Sequence, residues 1–223
     1  MSNRRLAILA SLGGLSALVV AMVAVRVVYT GNSQFVSIIW NLFLAWIPFV
    51  ISLYVYEGYR RRAAALSLWA GGLLWLVFFP NAPYIVTDLK YLRTWTGAPI
   101  WYDAILLSAA AGAGLLLGFA SLYVMQTVIR RALGTLSAWL FVMCVLGLSS
   151  FGVYLGRIQR WNSWDVFTRP RVLGAELWSG LESPLEHPKV IAGTIVFSVF
   201  LGATYLVFYA LVGGSSVPER AER

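Results

Sequence analysis

Two polar stretches interrupt an otherwise apolar chain, and they hold the residues whose types can do chemistry. The first runs Pro80-Asn81-Ala82-Pro83-Tyr84-Ile85-Val86-Thr87-Asp88, and the second runs Arg157-Ile158-Gln159-Arg160-Trp161-Asn162-Ser163-Trp164-Asp165. Asp88 is an acid beside apolar residues, so it needs a partner or water. A carboxylate so placed can act as a general base, which makes Asp88 the candidate catalytic group. Arg157 and Arg160 stand three residues apart and share a helical face. A guanidinium grips phosphate or carboxylate through paired hydrogen bonds, so the two arginines form a candidate anion clamp. Asn81 or Asn162 would supply an orienting donor. The candidate ligand-binding set is Asn81, Tyr84, Thr87, Asp88, Arg157, Arg160, Trp161, Asn162, Trp164 and Asp165.

A plainer reading competes for each of these residues. Asn81 can close the turn at a proline-capped helix end. Trp161 and Trp164 suit the headgroup level of a bilayer, and the arginines can snorkel to phosphates. Asn162 can cap a following helix, with Asp165 in its first turn. An ion pair of Asp88 with Arg157 or Arg160 is expected on either view. It either locks the two stretches together or forms a site, and the residue types do not choose.

Other chemistries are excluded by count. The single histidine, His187, sits between Glu186 and Pro188 and reads as a solvated loop residue. The single cysteine, Cys144, lies in an apolar run. No disulfide within the chain and no His/Cys metal centre of the usual kind can be built from them, and no Ser-His-Asp set supports an enzyme. No metal and no cofactor are expected. The net charge is +8, yet the basic residues sit at the ends of apolar runs. That is the pattern of topology signals and headgroup contacts, so no nucleic-acid partner is expected.

The elements that must position these residues follow from composition. Of the 223 residues, 60% are hydrophobic and 12% are charged, against about 25% charged in a soluble domain. There is too little polar surface to cover a water-soluble ball. Apolar runs at about 6–28, 35–56, 63–80, 104–129, 132–156 and 190–212 reach or approach the ~20 residues that cross a bilayer. Backbone in lipid must bond to itself, so each run is predicted to be a helix. The first run is too long for a cleaved signal sequence and reads as a retained span.

The predicted fold is an all-α integral membrane protein. It is a single six-transmembrane-helix bundle, with short interfacial helices in two external loops at 81–103 and 157–189. Leu89, Leu92 and Trp95 suggest one such helix; Leu173, Leu177 and Leu181 with Trp178 suggest another. Arg4 and Arg5, Arg60 to Arg62, Arg130 and Arg131, and Arg220 and Arg223 all fall on one side of six spans. Both termini are therefore expected in the cytoplasm.

Pro80 and Pro83 should end or break the third span near membrane depth, where broken helices line cavities or binding sites. Gly114 and Gly118 form a small-xxx-small pair. That pair suits packing inside the bundle, with the fourth span central, or a homodimer seam. Asp103 should complement a helix dipole, and Arg26 should snorkel.

The stretch Phe79-Pro80-Asn81-Ala82-Pro83-Tyr84 with Thr87-Asp88-Leu89, together with Gly156-Arg157 and Arg160-Trp161-Asn162-Ser163-Trp164-Asp165, closely resembles the domain-of-unknown-function 1361 family of small polytopic membrane proteins. The likeness covers roughly residues 35 to 212. It implies a bacterial plasma-membrane protein and carries no activity and no catalytic residues. Three functions stay open. One is an outer-face site for a lipid headgroup or a membrane protein partner. Another is an interfacial enzyme on a lipid-linked phosphate or carbonyl substrate. The third is a small transporter.

Overall fold

The computed structural model describes residues 3–93, 97–154, 156–157, 168 and 188–214. Its elements are helical: α1 Asn3–Thr30, α2 Val36–Arg60, α3 Ala65–Phe78, a short α4 Asn81–Tyr84, a 3-10 segment Ile85–Arg93, α5 Ile100–Leu133, α6 Thr135–Tyr154 and α7 Pro188–Gly214. Six spans are long and apolar enough to cross a membrane: Leu6–Thr30, Val36–Arg60, Ala65–Leu92, Ile100–Leu133, Thr135–Tyr154 and Ile191–Gly213. The molecule is a multi-pass membrane protein. Its backbone bonds to itself within each span, as lipid requires.

The central helix is α5. It packs against α1, α2, α4, the 3-10 segment, α6 and α7. Of its most apolar window 61% is buried, against 11% for the last helix. Small residues allow this crowding, for Ala110, Ala111, Ala113, Gly114, Gly118 and Ser121 are all buried on α5. One apolar cluster joins α5 to α1 and α2 through Val19, Val23, Ile38, Leu42, Leu106 and Leu117. A second joins it to α3, α6 and α7 through Trp75, Phe119, Leu122, Leu146 and Leu201. The outer surface keeps large apolar side chains exposed, among them Trp40, Phe43, Trp69, Val196 and Leu211. These face lipid, where an exposed Leu or Trp carries no hydrophobic cost.

Polar groups inside the bundle find each other. The indole of Trp75 donates to the Ser121 hydroxyl, which donates to the Pro48 carbonyl at 3.1 Å. The Tyr205 hydroxyl donates to the Gln126 side-chain oxygen at 2.7 Å. At one end of the bundle, Arg131 lies over the Tyr56 ring and Arg130 reaches the Tyr209 hydroxyl. This arginine-rich end sets the reference for depth.

The third span is broken, as the prolines predict. Pro80 and Pro83 cannot donate, so the local bonding shortens: Ala82 N–H donates to the Phe79 carbonyl at 3.1 Å. Side chains satisfy freed carbonyls. Asn81 Nδ2 donates to the Phe78 carbonyl at 2.9 Å, and Thr87 Oγ1 donates to the Tyr84 carbonyl at 2.6 Å. The break seats on glycine. A Cβ added to Gly114 would stand 2.6 Å from the Ala82 carbonyl oxygen, and one on Gly118 would stand 3.0 Å from the Ala82 Cβ. The Gly114/Gly118 face, expected as either an internal contact or a homodimer seam, is thus filled by the chain's own α4.

One boundary differs from the expectation. Residues 81–93 do not leave the bundle as the start of an external loop. They form the second half of the third span, with Ile85 and Asp88 buried and Leu92 packed on the first cluster. Counting charge-free runs stops at the first acid, whereas a paired acid can sit inside. For the same reason α5 begins at Ile100, before Asp103. Trp95 and the second predicted interfacial helix lie outside the described residues.

Candidate functional site

Tyr84, Thr87, Asp88 and Tyr91 follow each other at i, i+3, i+4 and i+7. On a helical segment that spacing makes one stripe. The stripe is the wall of a cage, and Arg157, just past the end of α6, fills it. Arg157 Nη2 donates to Asp88 Oδ1 at 2.6 Å. Its Nε donates to Thr87 Oγ1 at 2.8 Å. Its Nη1 reaches the hydroxyls of Tyr84 and Tyr91, each at 3.3 Å. The guanidinium also lies over both tyrosine rings, 4.7 Å from one centroid and 5.3 Å from the other. From α2, Asn41 Nδ2 donates to Asp88 Oδ2 at 2.8 Å.

Burial decides how strongly this pair is held. The Asp88 side chain is 3% exposed and that of Arg157 13%. Screening is weak there, and breaking the pair would leave an uncompensated buried charge. The tyrosine faces add cation–π attraction. The Gly114 contact beneath Ala82 and Ile85 fixes the wall against α5. The cage is therefore built by one continuous piece of chain, while its occupant comes from another.

The expected ion pair between the two polar stretches is present, with Arg157 as the partner. Tyr84, Thr87, Asp88 and Arg157 of the candidate set come together. Asn81 caps the broken α3 through the Phe78 carbonyl. Arg160, Trp161, Asn162, Trp164 and Asp165 lie outside the described residues. Two members were not anticipated. Tyr91 carried a signal, standing three residues after Asp88 on the same stripe. Asn41 carried a weaker one, as an amide within the apolar run of α2.

A second buried pair closes the same end of the bundle. Arg26 Nε donates to Asp103 Oδ1 at 2.7 Å and Nη2 to Asp103 Oδ2 at 3.0 Å. The guanidinium stacks 3.6 Å from the Phe35 ring centroid. Arg26 does not snorkel: it is 1% exposed, since a two-pronged partner lies inward on α5. Asp103 stands in the first turn of α5 as expected, and it also neutralises Arg26.

The geometry limits the chemistry. Both Asp88 oxygens accept hydrogen bonds, Oδ1 from Arg157 and Oδ2 from Asn41. Four Arg157 hydrogen bonds end on acceptor oxygens, so an anion bound in their place would displace them. What the stripe offers is a ring of acceptors and aromatic faces around a cation. Among the described residues, no cluster of three or more His, Cys, Asp or Glu side chains is placed to hold a metal.

No curated protein and no solved structure matches the chain. Residues 40–205 match the family described as "Protein of unknown function (DUF1361)". That match takes in the whole Asn41–Asp88–Arg157 network and most of the chain, and the protein belongs to this family.

Proposed function

We propose that the protein is a lipid-binding protein of the bacterial plasma membrane, with both termini cytoplasmic and its site at the opposite face. The site is the Asp88–Arg157 network with Tyr84, Thr87, Tyr91 and Asn41, and its ligand is a lipid headgroup. One observation carries this reading: a buried charged network, in which the Arg157 side chain keeps 13% exposure, is anchored on α2 far from the arginine-rich end. Asn41 sits about 28 Å along α2 from Arg60 at 1.5 Å per residue, close to the ~30 Å hydrocarbon thickness. The arginine-rich end supports the orientation, because basic residues in short loops stay in the cytoplasm.

The enzyme reading has less support, since Asp88 is held by two donors. A membrane protein partner would meet the same face and would appear in the same test. Native mass spectrometry of gently extracted protein should show one lipid class retained by the wild type. Asp88→Asn and the pair Arg157→Ala/Arg160→Ala should both lose it. Identical bulk lipids on all three proteins would sink the reading; a retained protein instead of a lipid would redirect it.

A further inference from the structure

The cage of acceptor oxygens and aromatic rings surrounds a cation that the chain itself supplies, the Arg157 guanidinium. We infer that its exogenous ligand is the primary ammonium of an aminophospholipid headgroup, which takes the place of the Arg157 guanidinium while Arg157 moves to the neighbouring phosphate. This inference rests on the headgroup reading above and names the headgroup.

Three observations carry it. First, the groups that touch the guanidinium are acceptors: Asp88 Oδ1, Thr87 Oγ1 and the hydroxyls of Tyr84 and Tyr91. Second, two aromatic faces flank it, the arrangement that attracts ammonium groups as well as guanidinium. Third, wall and occupant are independent. The wall is the third span's own stripe, backed by Asn41 and seated on Gly114. The occupant enters from the end of α6 and keeps 13% of its side chain exposed.

The exchange conserves charge pairing at each step. Asp88 gives up one cation and gains another, so no buried carboxylate is left bare. Arg157, once released, has a phosphate within the same headgroup, to which a guanidinium binds through two parallel bonds. A primary ammonium brings three N–H donors to these four oxygens. A trimethylammonium has none and would keep only the rings and the charge of Asp88. A headgroup without a cation could not enter the cage at all.

The test is lipid binding to delipidated, detergent-solubilised full-length protein, read by native mass spectrometry and by thermal shift. The probes are phosphatidylethanolamine, phosphatidylcholine and phosphatidylglycerol, with free ethanolamine as a further arm. Phosphatidylethanolamine should bind about tenfold tighter than phosphatidylcholine, the size of a lost charged hydrogen bond. Tyr84→Phe/Tyr91→Phe, which keeps both rings, should lose most of that preference. Free ethanolamine should bind far more weakly, because it lacks the phosphate; equal binding would assign the site to a soluble amine and overturn the lipid source.

Equal binding of phosphatidylcholine would overturn the acceptor cage. Tight binding of phosphatidylglycerol, lost in Arg157→Ala, would overturn this inference and leave the headgroup reading standing. Three lipids bound alike would end both. As a check on folding, Arg157→Ala should gain thermal stability from methylguanidinium in a saturable way, and Asp88→Asn/Arg157→Ala should not. Absence of that difference would also overturn the cage.

Discussion

At the residue scale, two arginine–aspartate pairs differ in what they leave open. Arg26 and Asp103 are sealed, at 0% and 2% side-chain exposure, while the Arg157 side chain keeps 13%. Removing one partner of a buried pair strands the other charge. Asp88→Asn or Arg157→Ala should therefore cost about 3–5 kcal/mol of stability. Replacing both Arg26 and Asp103 by apolar residues of similar volume should cost far less than either single change, because no bare charge remains. Thermal unfolding of the singles and doubles checks this; additive losses would contradict it. Tyr84, Thr87, Asp88 and Arg157 were legible in the sequence because an acid beside apolar residues needs a partner. Asn41 was not, because an amide in an apolar run names no partner. Tyr91 stands three residues from Asp88 at helical spacing, but a run that ends at its first acid stops short of it.

At the element scale, the broken third span positions the site. Pro80 and Pro83 end the regular helix, and glycines on α5 let the break sit inside the bundle. Gly114→Ala would put a methyl group 2.6 Å from the Ala82 carbonyl oxygen. It should destabilise the protein by about 1–3 kcal/mol, the usual cost of overpacking. Gly112→Ala meets nothing within 4 Å and should be neutral or stabilising by up to about 1 kcal/mol, as Ala favours helix over Gly. Melting temperatures of the two variants separate the explanations: equal effects would mean that Ala82 does not rest on Gly114. The break and the crowded α5 could be read from prolines and small residues. The continuation of the span through 81–93 could not, because a rule that counts charges cannot know that Asp88 is paired.

At the scale of the whole molecule, six spans and their alternation were readable from apolar runs alone, since lipid leaves the backbone few options. Sidedness rests on Arg60, Arg61, Arg62, Arg130 and Arg131. With Cys144, which is exposed on α6, changed to Ser, a cysteine introduced at Gln34 should react with a membrane-impermeant thiol reagent added outside intact cells. One introduced at Arg61 should react only after the membrane is opened. The reverse pattern would invert the topology and move the Asp88 site to the cytoplasmic leaflet.

The central claim is that a lipid headgroup reaches the Asp88–Arg157 network. A phospholipid carrying a photoreactive group on its headgroup, incorporated into membranes containing the protein, tests it at residue resolution. Cross-links mapped by peptide mass spectrometry should concentrate on Tyr84 to Tyr91 and on Arg157, and should fall away in Asp88→Asn. Labelling spread over lipid-facing residues such as Trp40 and Phe43, and unchanged in the variant, would mean that the network only ties the bundle together.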